Sequence, residues 1–445
     1  MFHLTVKTIK IIFATQILVD RYEKAVTVFS IVVISLFILS LFGYMVNQIS
    51  SENKKFGFLT EPVKFMYSFP ELFEQSVEEV KGLPKTFIPT PKNFEPINKL
   101  NKDILVLSTF SDTSNSRSLV VRNLKNDSIL NKWTLSHGHV ERSRIMHPLL
   151  FPDTSVIFAF YFKPSGLKRV SKEGKLIWKQ DSVIIHHSME LNSDGDIWAC
   201  SKDRVYWATG MYKLNERRVF YIDYPITKID GETGEILFHK SISQILKDNN
   251  LENYILKSPV PKDPIHVNDV QPALKTTQFY RKDDVFISLR NLSCVIHYRP
   301  STNKVIDIIE GPFISQHDVD FLNDNTLAIF NNNFYIRRSR ETKKPPKDSA
   351  TLVDLGDFYS NVVTYNLKNN SYSFIGDSLF KTNEIFTATE GLVEFIDSST
   401  YFVEEQNSGL LWIIKDNEVV YKNVFKSQHK GHHHLPNWTR IINYD

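Results

Sequence analysis

From about Lys102 onward the chain alternates short apolar runs with clusters of Asn, Asp, Gly and Ser. That rhythm predicts strands joined by tight turns, not helices. One unit, a short strand, a turn and an apolar strand, recurs six times. It reads VVRNLKNDSILNKW (120–133), LKRVSKEGKLIW (167–178), ITKIDGETGEILF (226–238), VIHYRPSTNKVIDII (295–309), VVTYNLKNNSYSFI (362–375) and LWIIKDNEVVYKNV (411–424). The turns fall at Asn126-Asp127, Glu173-Gly174, Thr233-Gly234, Thr302-Asn303, Asn369-Asn370 and Asp416-Asn417. Gly, Asn and Asp accept the left-handed dihedrals of tight hairpins. A second hairpin unit lies between these, at 146–162, 186–201, 266–291, 316–331 and 390–405.

Two hairpins per repeat give four strands, the pattern of a propeller blade. The expected fold is therefore all-β: a six-bladed β-propeller with blades near 101–140, 141–182, 183–262, 263–312, 313–386 and 387–428. The segment HLPNWTRIIN (434–443) is expected to supply a strand that closes the ring. Helical patterning is confined to SISQILKDNN (241–250), read as an insertion between blades three and four, and ELFEQSVEEVK (71–81).

The N-terminal pattern is different. Ala25 to Val46 carries no charge. As a helix at ~1.5 Å per residue it reaches about 33 Å, enough for a hydrocarbon core of ~30 Å. Lys7, Lys10, Arg21 and Lys24 precede it, which puts the N-terminus in the cytoplasm and the remainder across the membrane. The expected organisation is a cytoplasmic N-terminus (1–24), one transmembrane helix (25–46), a Pro-rich stalk (47–100) and the propeller (101–445). A cleaved signal peptide is the rival; the apolar stretch exceeds a typical h-region and lacks an obvious cleavage site.

Composition narrows the function classes. The chain is 42% hydrophobic and 23% charged, which excludes a disordered array. Its 53 Lys and Arg balance 50 Asp and Glu without long runs of one sign, so no nucleic-acid face is expected. Two cysteines exclude a disulfide scaffold. Cys200 and Cys294 read as small buried residues, a disulfide between them being the lesser alternative.

The histidines carry the chemistry. His147, His187, His266 and His317 each stand four residues before an apolar position of the second unit, namely Phe151, Leu191, Val270 and Phe321. Gly391 holds the same place before Phe395. The innermost strand of a blade runs along the central channel, so these side chains converge at one mouth. The second strand returns there with Arg290 near His266, and with Lys202, Asn332 and Gln406 in other blades. Imidazole and guanidinium together suit a tetrahedral oxyanion, and neutral imidazole is also a nucleophile or proton shuttle. The plain alternative is that the histidines plug the tunnel by bonding each other. The run from His429 to His434 reads as a solvated turn in preference to a metal tract.

The motifs HHSMELNSDGDIW (186–198), HVNDV (266–270), SLRN (288–291) and QHDVDFLNDNTLAIFNNN (316–333) resemble those of the arylsulfotransferase family, over roughly residues 101 to 445. The resemblance implies a six-bladed propeller that moves a sulfuryl group from a phenolic sulfate ester to a phenol, without a nucleotide sulfate donor. It implies no cofactor and no metal. His317 would be the nucleophile, forming a sulfohistidine; His266 and Arg290 would hold the sulfuryl oxygens. His187 would complete the cage, with His186 competing for that role. His147 and Asn332 are further candidates for substrate contact, and Asp318 and Asp269 are weaker candidates to orient an imidazole. The expected partners are an aryl sulfate donor, a phenolic acceptor and the membrane, with a homo-oligomer left open. The expected setting is a bacterial inner membrane with the propeller in the periplasm. Two other readings stand beside this one: a non-catalytic propeller that binds an anion or a partner, and a metal-dependent enzyme using the histidine ring.

Overall fold

The computed structural model describes residues 2–50, 56–63, 65–66, 83, 86–111, 116–136, 144–160, 166–203, 210–334 and 357–442. The chain divides into two compact units, Met1–Lys81 and Gly82–Asp445. In the first, a single helix spans Phe2–Ser50. Its stretch Arg21–Val46 has a mean hydropathy of 2.7 and is long and apolar enough to cross a membrane. Either an anchor or a signal sequence has these properties. The helix expected over 71–81 lies outside the described residues.

The second unit is an all-β propeller of six blades. Five blades are antiparallel strands taken in chain order from the axis outward, uninterrupted in four of them and interrupted by a separate hairpin in blade three. Blade two, for example, is Ile145–Leu150, Val156–Phe160, Leu167–Val170 and Leu176–Gln180. Blade one is the exception: its innermost strand is Arg440–Ile442, paired with Leu105–Ser111. The C-terminal end thus closes the ring, as the pattern of 434–443 predicts.

The outer turns form where the sequence places them. Asp127, Gly174, Gly234, Asn303, Asn370, Asp416 and Asn417 all have positive φ. Residues without a β-carbon, or with a short polar side chain, reach that region at least cost. Hydrophobic clusters fill the wedges between blades, for instance Cys200, Ile226, Val270, Ile287 and Cys294 between blades three and four. Both cysteines are free and buried there. The expected insertion helix is Ile242–Asp248; Ser241 caps it by accepting the Gln244 N–H, and Ile242, Ile245 and Leu246 pack into the same cluster. A second insertion in blade three pairs Gly210–Leu214 with Arg217–Tyr221.

Two expectations change. Part of the expected stalk is sheet: Ile97–Asn98 adds a fifth strand to blade six. Phe87–Pro89 pairs with His432–His434. That pairing also removes His433 and His434 from solvent, so the histidine run is not a solvated turn. His433 is held from both sides, its Nε2–H donating to the Ser408 carbonyl and its Nδ1 accepting from the Thr90 hydroxyl, each at 2.9 Å.

Candidate active site

The histidine column opens the innermost strands, and its geometry comes from interrupted pairing. In blade three the ladder jumps from Ile185↔Ser201 to Met189↔Ala199. His187 sits in this bulge at φ 66°. A regular strand would send His186 and His187 to opposite faces. The bulge turns both toward the axis, with ring centroids 3.9 Å apart. His266 has φ 52° beside a similar break between Val267 and Asp269.

His266 lies 5.2 Å from both His186 and His187, ring centre to ring centre, and His317 lies 5.7 Å from His187. His186, His187 and His317 are buried, and the structure brings them together with His266. Arg290 joins them through its backbone, its N–H donating to the His266 carbonyl at 3.0 Å, and its charge acts on His317.

The hydrogen bonds assign the protons. Asn332 Nδ2 donates to the carbonyls of Thr387 (2.8 Å) and Glu390 (2.7 Å), which leaves Oδ1 facing His317. His317 Nδ1–H therefore donates to Asn332 Oδ1 at 2.6 Å, and Nε2 carries the lone pair. The Glu390 N–H donates to that lone pair at 2.9 Å. His266 Nδ1 meets the Asp263 carboxylate at 2.6 Å, so Nδ1 donates to that carboxylate. His186 and His187 meet through their Nδ1 atoms at 2.7 Å.

Burial drives the imidazoles toward the neutral form. His317 is held well below the usual histidine range by burial and then by Arg290. His187 is lowered by burial and then by His186, and His186 by burial and then by Lys202. Lys202, on the returning strand of blade three, is itself lowered to about 8 by burial and lies 5.0 Å over the Tyr224 ring. His186, His187 and His317 are thus held toward neutral imidazole.

Other expected residues take different places. His147 is tied into the tunnel wall. Its Nε2 accepts from Arg440 at 2.7 Å, and its Nδ1 faces Glu190 at 3.2 Å. It lines a cavity of about 30 Å³ with Glu190, Asp318, Asp320, Glu394 and Arg440. Asn332 is fully buried behind His317, where it sets the ring's tautomer and leaves no amide atom for a substrate. Asp318 and Asp269 bind backbone, accepting the N–H of Val393 and of Val319; neither orients an imidazole.

The sixth column position escaped the sequence reading. Trp438 stands four residues before Ile442 in the closing strand, at φ 56°. Its ring is 5.0 Å from His147 and 5.9 Å from His187. Extending the same spacing into 434–443 finds it.

The family model for arylsulfotransferase (ASST) matches residues 147–426, most of the propeller and every histidine of the column. The chain belongs to the arylsulfotransferase family. That membership supports aryl sulfotransferase activity as a class. No curated protein sequence matches the chain. Among solved structures it is similar to a protein of unknown function from Bacteroides caccae, at TM-score 0.48 and 10% identity, covering 77% of this chain and 99% of that one. It is also similar to Kuenenia stuttgartiensis hydrazine synthase (TM-score 0.39, 10% identity, 69% and 74% covered). A third is virginiamycin B lyase from Staphylococcus aureus (TM-score 0.36, 11% identity, 76% and 89% covered). Likeness this distant carries no argument about activity.

Proposed function

We propose that this arylsulfotransferase-family protein moves a sulfuryl group from a phenolic sulfate ester to a phenol through a sulfohistidine on His317. The observation that supports this most is the convergence of His187, His266 and His317, beside Arg290, at the positions of the family's motifs.

In the first half-reaction the His317 Nε2 lone pair attacks sulfur, an N–S bond forms and the S–O bond to the phenolate breaks in line. A neutral ring is needed, and burial supplies it. Negative charge on the sulfuryl oxygens faces the Arg290 guanidinium. The His266–Asp263 pair is built as an acid–base unit: the carboxylate holds the Nδ1 proton, the ring enters the first half-reaction with a second proton on Nε2, gives that proton to the leaving phenolate, and recovers one on Nε2 from the acceptor in the second half. In the second half the acceptor oxygen attacks sulfur, the N–S bond breaks and His317 is regenerated. The Glu390 N–H holds the nucleophilic nitrogen in the structure, so attack requires that hydrogen bond to open. The loop of Thr387, Glu390 and Gly391 is therefore part of this chemistry.

The apolar helix serves as an uncleaved anchor in this reading. The basic residues before it stay in the cytoplasm, and the propeller lies in the periplasm of a bacterial cell.

4-Nitrophenyl sulfate as donor and a phenol as acceptor test the reading. The wild-type protein should release nitrophenolate, and His317→Ala should not, while keeping its circular dichroism. Donor alone should add about 80 Da, one SO3 group, to a peptide containing His317. An unmodified peptide in protein that turns over would remove His317 as the nucleophile.

A further inference from the structure

Arg144 and Glu390 form a two-pronged ion pair, Nη1 to Oε2 at 2.9 Å and Nη2 to Oε1 at 2.6 Å. Arg144 stands just before Ile145–Leu150, the innermost strand of blade two, and Glu390 just before Leu392–Phe395, the innermost strand of blade six. The pair thus reaches past blade one at the rim of the channel. Glu390 is also the residue whose N–H donates to His317 Nε2 at 2.9 Å. One residue therefore covers the nucleophilic lone pair with its backbone and occupies a guanidinium with its side chain. Its φ of 61° is a costly conformation for an L residue with a β-carbon. The N–H lies on the peptide before Glu390, and the carbonyl that accepts from Asn332 lies on the peptide after it. Relaxing φ can therefore turn the N–H off His317 while Asn332 keeps the carbonyl. That turn gives up the 2.8 Å hydrogen bond from the Thr387 hydroxyl to the Thr389 carbonyl, which shares the moving peptide. The bidentate grip of Arg144 holds Glu390 against the turn.

We propose that Arg144 is a further substrate-binding residue and Glu390 its built-in stand-in: the sulfate group of the donor displaces the Glu390 carboxylate from Arg144, and His317 Nε2 is uncapped as a result. A sulfate monoester and a carboxylate each offer a guanidinium two oxygens that fit the same fork. Only one of them can hold Arg144 in that way, so the two compete. An anion binds best to the state in which Glu390 has let go, and by that difference in affinity it shifts the equilibrium toward the open loop. The nucleophile stays covered in the empty protein and is exposed when an anion arrives. Arg144 enters from blade two, whereas Arg290 enters from blade four. Naming an aryl sulfate as the anion rests on the sulfotransferase reading; the anion site and the cap do not.

The test uses the full chain in detergent and two probes, neither of which needs turnover. Inorganic sulfate, titrated by calorimetry, reports on Arg144. Diethyl pyrocarbonate, which acylates the lone pair of a neutral imidazole, reports on the cap; in the tryptic peptide 305–337 the sole histidine is His317. Glu390→Gln should bind sulfate about tenfold more tightly than wild type and Arg144→Gln about tenfold more weakly, the scale of one charged hydrogen bond. Both variants should acylate His317 several-fold faster than wild type. Arg144→Lys keeps the charge and loses the fork, so its sulfate affinity should fall between wild type and Arg144→Gln. It carries the test if Arg144→Gln loses its circular dichroism. An ion pair with a merely structural role predicts that removing either partner acts alike. Sulfate affinity that moves in the same direction in the Glu390 and Arg144 variants, or that neither changes, overturns the proposal. Acylation of His317 that is no faster in Glu390→Gln than in wild type overturns it equally. Binding and acylation as expected in protein that forms no sulfohistidine would leave this exchange standing and count against the transfer reading alone.

Discussion

His317 is constrained at both ring nitrogens. Asn332 Oδ1 accepts from Nδ1–H, and the Glu390 N–H donates to Nε2. The ring is neutral because burial makes imidazolium costly, and Arg290 adds to that cost. This has a consequence for rate. A nucleophile whose pKa is well below 6.5 stays unprotonated in mild acid. The acidic limb of kcat/KM for the sulfate donor, which reports only the first half-reaction, should therefore lie below pH 6.5, as read from a pH–rate profile. A limb at or above 6.5 would contradict the assignment of His317. The four column histidines were legible because their spacing repeats. The role of Asn332 was not. Its sequence position marks only the returning strand; that its amide is consumed by His317, Thr387 and Glu390 follows from contacts between blades five and six.

The innermost strands form the element on which the site depends. Each presents backbone N–H groups along the tunnel, where no further strand can pair with them. Side chains of the preceding blade satisfy several. Asp269 accepts from Val319, Asp318 from Val393, and Glu394 from Ile441, in successive blades. This explains acids in a tunnel, and it has a cost that depends on pH. Burial is the main cause that raises Glu394 from 4.5 to about 7. The folded state thus binds this proton more tightly than the unfolded chain. Its contribution to stability is complete below about pH 4.5, declines as pH rises, and is lost through pH 7. Glu394→Gln should accordingly be stabilised relative to wild type at pH 8 but not at pH 4.5, measured by denaturant unfolding at both. Equal differences at the two pH values would dismiss the raised carboxyl. The bulges were not legible. HHSMEL reads as an ordinary alternating strand, and only the partner strand's register shows the break between Ile185 and Met189.

For the propeller unit, closure is the decisive interaction. Arg440 belongs to the last strand yet bonds the first half of the ring. Its guanidinium reaches Glu190 at 3.0 and 3.1 Å, His147 Nε2 at 2.7 Å and the Met189 carbonyl at 2.8 Å. Glu404 accepts from the N–H groups of Trp438 and Thr439 on the way. A chain ending before Leu435 should leave blade one without its inner strand and both flanking wedges open. It should lose cooperative thermal unfolding and expose apolar surface to a fluorescent dye. A truncated chain that melts as sharply as the full one would show that the closing strand is dispensable.

The sequence by itself determined the blade count, the six outer turns, the closing strand, the apolar helix and the histidine column. Each follows from local rules, namely period-two patterning, left-handed turn residues and uninterrupted apolar length, and these act within a few neighbours along the chain. Only the tertiary structure decided which histidines meet, that His186 and His187 face the same way, that Asn332 orients rather than binds, and that the run from His429 to His434 is covered by residues 87–89. Those features depend on register and on contacts between strands far apart in sequence. A one-residue shift in pairing reverses the direction of a side chain while leaving the alternating pattern intact.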